Sequence, residues 1–170
     1  YNTNREFEKF RAVEHDIDIV YLTFEELMKL YEKDFESDRL SQVRDFYCMG
    51  CFTGLRFSDL SKLHLANISE DHIVLSIQKT KTQNHAIKLN KYAKAILEKY
   101  KGTIYEPLPV ISSQKFNEYI KDCCELAEIT QPFTTHWFVG NKKKSITQPK
   151  CKFITSHTAG KTFITHSLLL

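Results

Sequence analysis

Arg56 follows a glycine break in the stretch Phe52-Thr53-Gly54-Leu55-Arg56-Phe57-Ser58-Asp59-Leu60, where one apolar helical run ends and another begins. A guanidinium held at such a junction, beside a serine and a carboxylate, is placed to grip an anion, because its planar fork of donors meets two oxygens at once. The plainer role for the same arginine is to cap carbonyls or to pair with Asp59. His157 stands near the expected start of a late helix, within Ile154-Thr155-Ser156-His157-Thr158-Ala159-Gly160-Lys161-Thr162-Phe163. An imidazole there suits a structural hydrogen bond or a proton transfer. Lysines form the third group: Lys79 and Lys81 in a polar turn, then Lys142, Lys143, Lys144 and Lys161 further on.

The charge is unevenly spread. From residue 141 to residue 170 there are six lysines and no Asp or Glu, which leaves residues 1–140 with 18 basic against 21 acidic side chains. A basic C-terminal segment beside a mildly acidic body fits a one-sided phosphate-binding face, whereas the bland alternative is a solvated lysine loop. No apolar stretch approaches the roughly 20 residues that a membrane span needs, so no membrane role is expected. Cys48 and Cys51 have C-x2-C spacing, yet no second pair stands at a zinc-ribbon distance. With Cys123, Cys124 and Cys151 they read as reduced structural thiols of a cytoplasmic protein, with no metal site. No P-loop, dinucleotide fingerprint or G-x-S-x-G is present, so no cofactor is expected.

Local patterns predict the elements that must position these groups. Thr23 and Glu26 form a capping box before Leu27, Leu30 and Tyr31. Val43, Phe46, Tyr47, Gly50 and Cys51 make a helical stripe that ends at Gly54, a left-handed cap. Ser58 is expected to cap a short second helix carrying Leu60, Leu63 and Leu65. His72 to Gln78 is β-rich and Ala86 to Leu89 answers it, so a hairpin is expected with residues 79–84 around its turn. Helices are expected over 91–101 and 113–127, separated by Pro107-Leu108-Pro109. Residues 131–154 read as irregular. Trp137 and Phe138, followed by three lysines, read as core or as a strand and turn approaching DNA backbone. The sum is α+β: one mostly α-helical domain with a small antiparallel β-sheet.

The string Thr53-Gly54-Leu55-Arg56, followed by Ser58-Asp59-Leu60 and much later by His157-Thr158-Ala159, resembles the catalytic domain of the tyrosine recombinases, the phage-integrase family. The resemblance covers nearly all 170 residues. It implies site-specific recombination or integration of a mobile element, by cleaving and rejoining double-stranded DNA through a 3′-phosphotyrosyl intermediate without metal or nucleotide. On that resemblance Arg56 binds the scissile phosphate, and Asp59 orients the arginine or its helix. A hairpin lysine protonates the departing 5′ oxygen; alternation puts Lys79 and Lys81 on one face of the strand, so both remain candidates. His157 contacts the phosphate and assists proton transfer, while Lys142, Lys143, Lys144 and Lys161 contact DNA.

Two departures limit what the resemblance implies. Gly160 stands where the family carries its second arginine, and Lys161 is rotated from that position by about 100° around a helix. Losing one such phosphate contact costs roughly 10²–10³ in rate. The eight tyrosines (Tyr1, Tyr21, Tyr31, Tyr47, Tyr92, Tyr100, Tyr105 and Tyr119) all precede His157, whereas the family's nucleophile follows it. The chain is therefore expected to be a truncated catalytic domain, 1–170, without the N-terminal DNA-clamping domain, inactive and possibly monomeric alone, from a parent that acts as a tetramer on DNA. The alternative of a different class is a non-catalytic DNA-binding or regulatory relative with a degenerate site. A helical protein-interaction module is the third reading, and it predicts no salt-sensitive DNA affinity.

Overall fold

The computed structural model describes residues 19–77, 82–140 and 142–169. Its centre is α2 (Asp38–Thr53), in which Val43 and every residue from Asp45 to Thr53 are buried. A helix buried on all sides needs neighbours all round. They are α1 (Phe24–Glu32), α3 (Phe57–Leu60), α4 (Lys91–Tyr100), α5 (Ser113–Leu126) and α6 (Ser156–Leu168), each packed against it. The core is contiguous, with Phe46, Tyr47, Met49, Leu27, Leu30, Phe116 and Ile120 among its fully buried side chains.

Local chemistry explains the helix ends. Thr23 and Glu26 make the expected box: the Thr23 hydroxyl accepts from Glu26 N, and Glu26 Oε2 accepts from Thr23 N at 2.8 Å. The same carboxylate oxygen accepts from Lys150 Nζ, whose side chain is also nearly buried. Asn90 caps α4 by accepting from Tyr92 N and Ala93 N. The helices expected over 91–101 and 113–127 are present within a residue at each end.

A buried carboxylate sits in the middle of α2. Asp45, 2% exposed, accepts from Arg44 Nε at 2.8 Å, and from Lys99 Nζ and the Tyr100 hydroxyl at 2.7 Å each. Three donors replace the water lost on burial, which is the condition for keeping such a charge inside a fold. The cluster clamps α4 to α2.

The first sheet is antiparallel in the order β1 (Asn67–Ile68), β2 (His72–Ile77), β3 (Thr82–Lys88). His72 pairs with Lys88 and Val74 with Ala86, and the register shifts between Leu75 and Ile77. The hairpin expected from the β-rich run is thus present, with β3 starting before Ala86. Lys79 and Lys81 lie outside the described residues.

Three expectations are corrected. The stretch read as irregular holds regular elements: β4 (Pro132–Val139), the strand offered as one reading of Trp137 and Phe138, and β5 (Lys142–Pro149) form a two-stranded antiparallel ribbon, followed by a 3₁₀ turn over Lys150–Phe153. The ribbon escapes an apolar/polar reading because β5 is exposed along its whole length and because β4 is half-buried on both faces from Phe133 to His136, so neither strand alternates. Trp137, also read as core, is 43% exposed. At the other junction the N-cap of α3 is Arg56, not Ser58, and Leu63–Leu65 forms a separate 3₁₀ turn that leaves Leu65 exposed. The architecture is α+β, with six helices and two small antiparallel sheets among the described residues.

Candidate functional site

Arg56 is positioned by the way α2 ends. The Thr53 hydroxyl donates to Met49 O at 2.7 Å, Gly54 N donates to Gly50 O at 2.9 Å, and Gly54 then turns the chain with φ +71°. Leu55 is buried and anchors the turn. Arg56 follows in an extended conformation, and its carbonyl accepts from Asp59 N at 3.0 Å and Leu60 N at 2.9 Å. Its backbone is therefore fixed while its side chain is exposed. Among the described residues no hydrogen bond or ion pair engages its guanidinium, so all five donors are open to an incoming anion.

Asp59 is different from its neighbour in every respect. It is 3% exposed, and its Oδ1 has no hydrogen-bond partner among the described residues. No ion pair joins it to Arg56 there. An unsatisfied buried carboxylate oxygen is costly. It lies three residues from the open guanidinium, within the turn that the arginine begins.

His157 is positioned by the start of α6. The Thr158 hydroxyl donates to Thr155 O at 2.7 Å and accepts from Thr155 N at 3.2 Å. Its single proton is committed there, so the 2.9 Å contact with the Tyr47 hydroxyl has Tyr47 as donor. Ser156 N donates to Asn117 Oδ1 of α5 at 2.8 Å. Further along, the Thr162 hydroxyl accepts from Leu22 N at 3.0 Å and donates to Thr158 O at 2.8 Å. These bonds hold the inner face of α6, where Thr158, Ala159 and Thr162 are buried. His157 and Lys161 are exposed, and they lie one turn apart on the outer face.

The two segments meet. A Cβ placed on Gly50 would lie 3.1 Å from Ala159 Cβ and 3.4 Å from Leu60 Cδ1, so α2, α3 and the first turn of α6 converge at that glycine. Leu55 and Phe57, which flank Arg56, line one small crevice together with Ser156 and Ala159, which flank His157 and Thr158. The exposed arginine and the exposed histidine thus stand on backbone segments that share a packed joint.

Gly160 leaves a gap on this surface. A Cβ there would meet no heavy atom within 4 Å, so packing at that position does not require glycine. Lys142, Lys143 and Lys144 lie on β5, in the ribbon rather than on α6. Sequence reasoning missed Tyr47, Asn117 and Thr162. Tyr47 was visible only as a member of an apolar stripe; the signal was its hydroxyl, which must find a partner when buried. Burial pushes that hydroxyl well above the ordinary tyrosine range, and at 1% exposure it cannot reach a DNA strand.

All five cysteines are free and buried. Desolvation raises the thiols of Cys48, Cys51 and Cys124 strongly, and that of Cys123 to about 12. They are therefore protonated and inert as nucleophiles. Among the described residues no group of His, Cys, Asp and Glu could hold a metal ion, and no helix is long and apolar enough to cross a membrane. Comparison with protein-family models, with curated proteins and with solved structures found no match for this chain.

Proposed function

We propose that this chain is the catalytic core of a DNA breaking-and-rejoining protein of the tyrosine-recombinase type. The observation that carries the proposal is the joint at Gly50 and Ala159. It brings an arginine with an open guanidinium and an exposed helix-start histidine onto adjoining segments.

The chemistry asks for little beyond positioning and charge. A tyrosine hydroxyl gives up its proton to a general base as its oxygen attacks the scissile phosphorus, the bond to the 5′ oxygen breaks, and a general acid supplies that oxygen with a proton. The 3′-phosphotyrosyl bond conserves the energy of the broken linkage, and a 5′ hydroxyl reverses the step on a partner strand. Arg56 binds two equatorial oxygens as charge develops on the five-coordinate phosphorus. His157 donates a hydrogen bond to the same group, and the positive end of α6 favours the anion beside it. Lys79 or Lys81 is the acid. Asp59, buried in the turn that Arg56 begins and donating its backbone N–H to the Arg56 carbonyl, is proposed as the positioning residue of that turn.

No tyrosine follows His157 in this sequence, so the chain by itself is proposed to bind DNA without cleaving it. Gly160 supports a second reading. With no charged side chain at that position the protein would occupy DNA sites, or pair with an active partner, without cutting.

The test is Arg56→Ala made in the full-length gene product that also carries Gly160→Arg. Formation of a covalent protein–DNA adduct on a nicked suicide substrate should fall by about 10²-fold or more. Unchanged cleavage would remove Arg56 from the mechanism.

A further inference from the structure

The β4–β5 ribbon has two chemically distinct faces, which the pairing register defines. Trp137 pairs with Lys144, Val139 with Lys142, and Thr135 with Ile146. Residues directly opposite share a face, and successive residues alternate. One face therefore carries Trp137, Val139, Lys142, Lys144 and Ile146 together. The other carries Phe138 opposite Lys143 and His136 opposite Ser145, and the 2.8 Å contact between the Thr134 and Thr147 hydroxyls fixes that assignment.

Phe133 and Thr135 lie on the same face as Trp137 and are half-buried, and the face is open beyond them. Trp137 is 43%, Val139 53% and Ile146 40% exposed, and the lysines are exposed beside them. Three large apolar side chains on a solvated two-stranded ribbon lose free energy of burial unless something covers them. Two cations among them select an anionic partner, and among the described residues no ion pair neutralises either. A two-stranded ribbon has the width of a DNA groove, and proteins of this shape place apolar side chains in the groove while cations meet the flanking phosphates.

We propose that the Trp137 face of the β4–β5 ribbon lies in a groove of duplex DNA. Lys142 and Lys144 contact backbone phosphates, Trp137, Val139 and Ile146 make the apolar contact, and Lys143 faces away. The inference rests on the reading of the chain as a DNA-binding protein, and it adds a second contact surface separate from the Arg56 joint. It also divides three consecutive lysines into two that bind and one that does not.

Each phosphate contact contributes about 0.9 to the slope of log K against log[salt]. Anisotropy titrations of a fluorescein-labelled random-sequence duplex, across a salt series, should show K142A/K144A losing about 1.8 from that slope while K143A stays near the wild type. Trp137→Ala should weaken binding with the slope unchanged. Trp137 is the only tryptophan, so its emission should shift on adding unlabelled duplex. All the substituted side chains are exposed or half-exposed, and an unchanged circular dichroism spectrum confirms folding.

Equal loss from K143A, or an unchanged slope in K142A/K144A with DNA still bound, would overturn the ribbon's role and leave the recombinase reading standing. An emission shift that follows protein concentration without DNA would identify the face as a contact between copies, and would overturn the proposal. Absence of any DNA binding would overturn both.

Discussion

Gly54 lies against the ring of Phe163. A Cβ on Gly54 would stand 2.6 Å from Phe163 Cδ1, and the glycine's φ of +71° is itself a conformation that other residues adopt at a cost. One residue thus ends α2, aims Arg56 and receives α6. Gly54→Ala should cost at least about 2 kcal/mol, from the left-handed backbone and from overpacking together. Urea denaturation measures the loss, and DNA affinity should fall with it.

Two lysines on one short turn test how much burial decides. Lys150 and Glu26 are paired with side chains 11% and 13% exposed, whereas Lys152 and Glu125 are paired at 43% and 53%. Lys150→Ala leaves the capping-box carboxylate with a single backbone donor and should cost about 3 kcal/mol. Lys152→Ala should cost less than about 1 kcal/mol. Denaturant midpoints of the two variants, measured side by side, give the comparison.

These pairs also show what was legible in the sequence. The capping box is a contact within four residues, so Thr23 and Glu26 announce it unaided. That Lys150 completes it is invisible, because the partner arrives from 124 positions away. The role of Asp45 is equally invisible, because its partners Lys99 and Tyr100 lie 54 and 55 positions away. The β2–β3 hairpin was legible from its β-branched run, which one buried face requires. Of the β4–β5 ribbon only the strand at Trp137 and Phe138 was legible, as one of two readings, since β5 is exposed along its whole length and imposes no period. At the candidate site the residue types were legible in the Arg56 and His157 strings, but the joint at Gly50 that brings them together was not.

Stability should fall in alkali. Burial raises the Cys48, Cys51, Cys123 and Cys124 thiols, and the Tyr47 and Tyr100 hydroxyls, above their ordinary values of 9.0 and 10.0. Above pH 9 the unfolded chain releases these protons while the folded chain keeps them. The unfolded state then binds fewer protons, so the free energy of unfolding decreases as pH rises. The contribution of these groups is fully present below pH 9 and is lost progressively above it. Denaturant midpoints between pH 7.5 and 10.5 should be flat at first and then drop, and native thiols should resist alkylation at pH 8.

Gly160 sits inside α6 with open space beside it. Gly160→Ala should therefore stabilise the protein by up to about 1 kcal/mol through helix propensity alone. A thermal melt checks this, and a loss of stability would mean that the position is crowded after all.

The most direct measurement is covalent adduct formation on a suicide DNA substrate by the full-length gene product, with Gly160 and with Gly160→Arg. Adduct that forms with arginine, and forms roughly 10²–10³ more slowly with glycine, is the predicted result. Tight DNA binding with no adduct from either protein would contradict the catalytic reading and leave a protein that occupies DNA without cutting it.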